Sequence, residues 1–312
     1  LFAALRRLAG QQKSVLLVSH KLADVEALCD EVTVLRQGRV AGRMQHPFDT
    51  HALLSMMFDT LPAAFTCTPG AAAGPVLDFE SVSAQGGRCG LVECSVSIRQ
   101  GEVVGLAGLE GSGQGVFLRL AAGLIQPASG TVRLQGLPMN TQPHWAFKQH
   151  GVVFVPGSRL EEGLIAGLSL AEHFVLGRQH TGFWVDRRRA ADHCRRAIAD
   201  FAIKAGPQTP AQDLSGGNQQ RLLLSLMDPK ARLLLLENPT RGLDVASMHW
   251  IWQKICGAAD RRCIVFSSAE IEELLMVADR VLVFFEGRVV LDLPVSQAHP
   301  RILGLALSGK RR

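Results

Sequence analysis

The sequence predicts an α/β fold built on largely parallel strands, interrupted by a helical insertion. Three observations carry that prediction. Short apolar runs alternate with segments of helical period: Val103 to Ala107, Val152 to Val155, Leu233 to Leu236, Ile264 to Phe266 and Val281 to Phe285 read as buried strands. A glycine-rich loop, Gly108 to Gly115, joins the first of these runs to a helix read over Gly115 to Ala122. From about residue 160 to residue 228 the strand pattern stops and Arg- and Ala-rich helical sequence replaces it.

Composition narrows the class. The chain has 312 residues, 47% hydrophobic and 20% charged, enough to bury a sizeable core. No apolar run reaches the length of a membrane span, which reads as a soluble or peripheral protein. The seven cysteines show no metal-binding spacing and read as scattered thiols of a reducing compartment. Net charge is +5, and the basic clusters Arg187 to Arg189 and Lys310 to Arg312 read as solvated faces, so no nucleic-acid partner is expected. The chain opens on Leu1 inside a helix-like pattern and is expected to be a fragment of a longer protein.

Taken in order, Leu1 to Leu8 reads as the end of an amphipathic helix and Val15 to Val18 as a short buried strand. Asp24 to Cys29 reads as helical and Val32 to Leu35 as a strand, with a hairpin turn at Gln37-Gly38. This stretch returns later in the chain. Asp30, Val32, Val34, Gly38 and Arg39 recur as Asp279, Val281, Val283, Gly287 and Arg288, at a constant offset of 249. The repeat divides the chain into the end of a first copy (1–45), a Pro- and Gly-containing linker (46–74), a second copy (75–291) and a C-terminal tail (292–312). Within the linker Leu53 to Phe58 is apolar with helical character; beyond it Val76 to Val82 and Leu91 to Ile98 read as antiparallel strands, and Val245 to Ala258 as a helix.

Two motifs point to phosphate. Leu214-Ser215-Gly216-Gly217-Asn218-Gln219-Gln220-Arg221 reads as a helix N-terminus, with Ser215 as N-cap candidate and glycines that let an anion approach the backbone. The loop Gly108-Leu109-Glu110-Gly111-Ser112-Gly113-Gln114-Gly115 sits between strand and helix, the setting of the phosphate-binding pattern GxxxxGK[ST]. Here Gln114 stands at the lysine position and Gly115 at the hydroxyl position. An amide does not replace the lysine charge, and glycine offers no metal ligand.

The LSGGNQQ run resembles the signature motif of ABC-transporter ATPases, in the form found in importers of simple sugars and nucleosides. The resemblance covers essentially the whole chain. It implies a P-loop NTPase of ABC-ATPase type: a mixed sheet core, an antiparallel β subdomain and a helical signature subdomain. It also implies that residues 1–45 end a first ATPase domain and that 75–291 form a second, degenerate one. In such proteins ATP lies between the phosphate loop of one domain and the signature of the other. Ser215, Gly216, Gly217, Asn218 and Gln219 are thereby expected to face nucleotide held by the first domain, with His20 of that domain at the γ-phosphate. The second domain's own site would comprise Gly108, Gly111, Gly113, Gln114, Gly115, Glu237, Asn238 and Asp244. There the family places an Asp and a Glu after the strand, and this chain has Glu237 and Asn238; Glu237 still reaches a weak Mg²⁺ shell, whereas Asn238 orients a water without taking its proton. By the 249 offset His20 falls on Ala269, which makes no phosphate contact.

Val155-Pro156-Gly157-Ser158-Arg159 with Gly163-Leu164 resembles the family's VPEDR…GL segment, without its acids, and is expected to dock on membrane subunits. No aromatic lies between Val82 and Gly101, where an adenine-stacking ring is usual, which leaves Arg88 for that role. The function implied is the ATP-binding, energy-coupling subunit of an ABC importer, peripheral at the cytoplasmic face of the cell membrane. Its cofactors are ATP and Mg²⁺, with Mg²⁺ doubtful in the second site. Its partners are integral-membrane permease subunits and, indirectly, an extracytoplasmic solute-binding protein. Gln114 and the run Glu237 to Gly242 favour nucleosides over sugars as the solute. Two other classes compete: a tandem ATPase of the ribosome- or DNA-associated kind, against which the short, weakly charged linker speaks, and a regulatory pseudo-ATPase. Alone, the chain is expected to be hydrolytically inactive.

Overall fold

The computed structural model describes residues 2–19, 22–36, 38–57, 74–177, 186–257 and 262–309. The chain divides into two compact units, Leu1–Ala64 with Asp244–Trp250, and Phe65–Leu243 with Ile251–Arg312. The smaller unit contains helices α1 (Phe2–Gly10) and α2 (Leu22–Leu28), the hairpin strands β1 (Glu31–Arg36) and β2 (Arg39–Gln45), and helix α3 (Thr50–Met57). Asp49 Oδ1 accepts the backbone N–H groups of His51 (2.9 Å) and Ala52 (3.2 Å) and so starts α3, which buries Leu53. Val15 to Val18 does not form the buried strand expected of it. Leu16 is 94% and Val18 91% exposed. An apolar run becomes a strand only where a neighbour takes its N–H and C=O groups, and the sheet formed by the described residues of this unit holds only β1 and β2.

The larger unit begins with β3 (Pro75–Ala84), β4 (Leu91–Arg99) and β5 (Val103–Gly108), then α4 (Gln114–Ala121), β6 (Ser129–Leu134), β7 (Leu137–Pro138), α5 (His144–Gln149) and β8 (Val152–Val155). Helices α6 (Leu170–Leu176), α7 (Arg187–Asp200) and α8 (Gly216–Ser225) form the helical insertion. The chain continues as β9 (Leu233–Glu237), α9 (Val245–Cys256), β10 (Cys263–Ser267), α10 (Ile271–Val277), β11 (Arg280–Phe285), β12 (Arg288–Pro294) and α11 (Pro300–Leu307). A six-stranded sheet runs β12-β11-β5-β10-β9-β8, parallel except for the edge strand β12. A four-stranded antiparallel sheet runs β4-β3-β6-β7. The fold is thus α/β, with a mixed core sheet, an antiparallel sheet and a helical insertion.

Helix α4 is fixed between the two sheets. Phe117 is fully buried, with its ring 4.6 Å from that of Phe79 on β3 and 5.8 Å from that of Phe284 on β11. Aromatic burial of this size contributes about 2–3 kcal/mol per ring and anchors the loop that precedes the helix. Among the cysteines, Cys29, Cys89, Cys94, Cys194 and Cys263 are free thiols; Cys256 is disulfide-bonded, which the scattered spacing did not predict.

The repeat extends from sequence into geometry. Hairpin β1–β2 pairs Val34 with Gly42 and Leu35 with Val40, shifting register between Val34 and Leu35. Hairpin β11–β12 pairs Val283 with Leu291 and Phe284 with Val289, with the same shift at the same offset. The turn glycines have φ of 75° at Gly38 and 79° at Gly287. Each hairpin is preceded by a seven-residue helix, α2 or α10, and followed by an eight-residue one, α3 or α11. Leu53 and Leu303 are the buried residues of those last two helices, which pack on β1 and β11 respectively. Residues 292–312, read as a tail, therefore include the end of β12 and the packed helix α11.

Candidate functional site

The loop from β5 to α4 is built as a cradle. Gly111 (φ 84°) and Gly113 (φ 121°) adopt backbone angles that L-residues rarely take. The Ser112 N–H donates to the Leu109 carbonyl (3.0 Å), and the Gly287 N–H donates to the Ser112 carbonyl (2.9 Å). Gln114 does not extend out of the loop. Its side chain is buried and folds back over Gly108, donating its amide to the Leu109 carbonyl at 3.4 Å. The Arg88 side chain lies against the loop: a Cβ at Gly111 would stand 2.9 Å from Arg88 Cβ.

Behind the cradle lies a charged cluster. Arg119, one helical turn after Gly115, donates from Nη1 to Glu237 Oε1 (3.1 Å) and to the Gly115 carbonyl (3.3 Å). Its Nη2 donates to both carboxylate oxygens of Glu162, at 3.0 and 2.8 Å. Burial pulls the guanidinium pKa down, but the two carboxylates more than offset this and leave it raised. Glu237 Oε2 accepts the Gly157 N–H at 3.2 Å, so both oxygens of Glu237 are engaged. A Cβ placed on Gly115 would stand 2.9 Å from Glu237 Oε1 and 3.1 Å from Arg119 Nη1. Position 115 offers no hydroxyl, and Glu237 Oε1 is already paired with a guanidinium cation, so the residues present do not fit the Mg²⁺ shell expected of Glu237. Asn238 takes a left-handed backbone (φ 48°), which asparagine tolerates, and its N–H donates to Ser267.

The signature helix is arranged differently. Ser215 occupies the N-cap position of α8 with an extended backbone, yet its hydroxyl caps no amide. It accepts instead from Asn218 Nδ2 at 3.0 Å. The first-turn amides behind the exposed Ser215 and Gly216 keep the dipole-favoured position for an anion. Asn218 Oδ1 accepts the Lys204 N–H (3.0 Å), and buried Gln219 donates to the Ala211 carbonyl (3.2 Å), which sets the approach of the chain into the helix.

The segment Val155 to Leu164 reaches both places. Gly157 touches Glu237, whereas Arg159 donates from Nε to Gln220 on α8 (2.9 Å) and from Nη2 to the Arg241 carbonyl. Burial, then the neighbouring Arg241, lower the Arg159 pKa. Beside this segment lies a cavity of about 670 Å³, lined by Leu124, Ile125, Phe154, Leu223 and Met227, with Arg119 and Glu162 also on its wall.

The structure thus brings Gly108, Gly111, Gly113, Gln114, Gly115 and Glu237 around one loop, and Ser215 to Gln219 onto one helix end. Asp244 caps α9, accepting the Ser247 N–H (2.9 Å) and hydroxyl (2.8 Å); burial raises its pKa, but these bonds hold it below the usual carboxylate range. Ala269 is exposed, and His20 lies outside the described residues. Two charged residues were not singled out in the sequence: Arg119, and Glu273, which is 2% exposed and accepts from Thr240, Trp252 and Ser268. Neither carries a sequence signal, since helical Arg and Glu ordinarily read as solvated.

Loop, carboxylate strand and signature helix on this sheet define an ABC-type ATPase domain. Residues 91–241 match the family model described as ABC transporter. The chain is 32% identical over 319 residues to the arabinose import ATP-binding protein AraG 1 of Burkholderia ambifaria, covering 98% of this chain and 63% of that protein. It is 33% identical over 328 residues to AraG of Ralstonia nicotianae, covering 100% of this chain and 63% of that protein. The chain therefore spans about 63% of the length of these curated relatives. Among solved structures, a dimeric ATP-binding cassette bound to ADP and Pi superposes with a TM-score of 0.59 at 18% identity, covering 70% of this chain and 98% of that one. A bacterial Atm1-family ABC exporter with ATP bound gives 0.60 at 19% identity, over 79% of this chain and 43% of that one. Residues 91–241 thus carry an ABC transporter domain.

Proposed function

We propose that this chain is part of the ATP-binding subunit of an ABC importer with two ATPase domains, and that its own complete domain is the silent member of the pair. Residues 1–45 and α3 would end the first domain; residues from 75 through α11 would form the second. The shared register shift of the two hairpins supports that division. In the complete subunit the α8 N-terminus, with Ser215 to Gln219, would close over nucleotide held by the first domain, where His20 reads the γ-phosphate. The second loop, with Gln114 folded inward and Glu237 paired to Arg119, would not support fast hydrolysis. The observation that carries this reading is the contrast within one domain: a signature helix whose Ser215 and Gly216 are exposed, and a phosphate loop whose Gln114 side chain folds inward.

The permease would dock in the apolar cavity beside Val155 to Leu164, because that segment touches both nucleotide-facing elements. The protein would then sit peripherally at the cytoplasmic face, with a solute-binding protein acting from the other side; no described helix is long and apolar enough to cross a membrane. Relatives named for arabinose import move simple sugars ahead of nucleosides as the transported class. The test is Ser215→Glu in the complete subunit. A carboxylate at the signature amides repels the γ-phosphate, so ATPase activity is expected to fall to background; undiminished turnover would refute the two-site assignment.

A further inference from the structure

Arg119 does in this pocket what a divalent ion does in a phosphate-binding loop that carries a hydroxyl ligand. Such an ion bridges the residue after the loop lysine to the carboxylate ending the neighbouring strand. Here those two positions are Gly115 and Glu237: Nη1 of the guanidinium donates to Glu237 Oε1 at 3.1 Å and, within α4, to the backbone carbonyl of Gly115 at 3.3 Å. The space a side chain at position 115 would enter is already bounded by Arg119 Nη1 and Glu237 Oε1, at 3.1 and 2.9 Å from the Cβ position. The same guanidinium holds Glu162, on the segment between β8 and α6, by a two-point bond. Arg119 and Glu237 are both largely shielded, with side chains 28% and 18% exposed, so the pair is screened less than a surface ion pair. Arg119 Cζ also lies over the Phe154 ring, 5.6 Å from its centre.

We propose that Arg119 is the resident cation of the second pocket: it takes the place of the divalent metal, excludes Mg²⁺, and ties the docking segment to α4 and β9 without any nucleotide. The proposal deepens the reading of this pocket as a silent nucleotide site and rests on it. It also accounts for glycine at position 115, since a fixed cation needs no hydroxyl ligand there and a Cβ would press on the ends of the Glu237 and Arg119 side chains.

Mn²⁺, a spin probe for Mg²⁺ sites, tests this on the 312-residue chain by electron paramagnetic resonance. The native chain is expected to show no saturable Mn²⁺ site. Arg119→Gln removes the positive charge and frees Glu237 and Glu162, and is expected to gain one Mn²⁺ site at least about tenfold tighter than any binding to the native chain. Adding Glu237→Gln to that variant abolishes the site. Arg119→Lys keeps the charge and behaves as the native chain, which separates lost charge from lost fold. A saturable site in the native chain that Glu237→Gln removes would overturn the proposal, as would failure of a folded Arg119→Gln variant to gain one. ATP binding to the same proteins in EDTA is measured alongside. Absence of any ATP binding, with the Mn²⁺ pattern as expected, would sink the nucleotide-site reading and leave the assignment of Arg119 standing.

Discussion

Glu273 is a carboxylate placed beneath the segment that leads out of Glu237, and it is 2% exposed. Its Oε1 accepts from the Thr240 hydroxyl (2.5 Å) and the Trp252 indole (2.7 Å), and its Oε2 from the Ser268 hydroxyl (2.5 Å). Burial raises its pKa above the ordinary 4.5, and the three donors offset this only in part. The sign of the pH dependence follows. A carboxyl group whose pKa is raised by folding stabilises the fold below its unfolded pKa, and that contribution is lost as pH rises through the folded value. Relative to Glu273→Gln, the native protein should therefore lose stability as pH rises above the ordinary glutamate value, about 4.3, as read by denaturant melts along that rise; a constant difference would contradict this. Glu273→Ala leaves three buried donors without an acceptor and should cost on the order of 3 kcal/mol or more. Sequence reading could not find this residue, because a Glu in the first turn of an amphipathic helix looks like a solvated charge until its neighbours are known. Arg119 was hidden for the same reason: its partners Glu162 and Glu237 lie 43 and 118 residues away.

Among the elements, those with local signals were the most legible. The Gly108–Gly115 loop, the strands around it and the α8 N-terminus carry turn glycines, apolar runs and a cap residue within a few positions of one another. Val15 to Val18 shows the limit, since its apolar pattern is that of a strand but pairing depends on a neighbour that the pattern does not specify. The Ser215 side chain shows a finer limit: position in the sequence identified the N-cap, but Asn218, not a backbone amide, takes its hydroxyl. The two hairpins give a prediction at this scale. Both turn glycines have positive φ, so an alanine at either costs about 1 kcal/mol from backbone strain. At Gly38 a Cβ would meet nothing within 4 Å, whereas at Gly287 it would stand 2.9 Å from the Cys89 carbonyl and 3.2 Å from that of Gly90. Gly287→Ala should thus cost roughly 2 kcal/mol more than Gly38→Ala, because backbone cannot yield as a flexible side chain does. Equal losses in equilibrium unfolding would show that the loop beside β12 adapts freely.

For the whole molecule, the internal repeat and the signature motif made the fold class and family readable from sequence, because both are patterns along the chain. The state of the second pocket was only half readable. Gln114, Gly115 and Asn238 announced missing chemistry, but not that Gln114 folds back onto Leu109 or that a guanidinium lies against Gly115. The first is a side-chain conformation within one loop, and the second is held by Glu162 and Glu237, 43 and 118 residues from Arg119. In the proposed subunit two unlike sites would operate, one completed by Ser215 to Gln219 and one closed by Arg119. The most direct test is vanadate trapping of Mg²⁺-nucleotide by the purified complete subunit with its membrane partners, followed by counting trapped ADP. The account predicts one ADP per subunit, lost in Ser215→Glu. Two ADP per subunit, or trapping that survives Ser215→Glu, would contradict it.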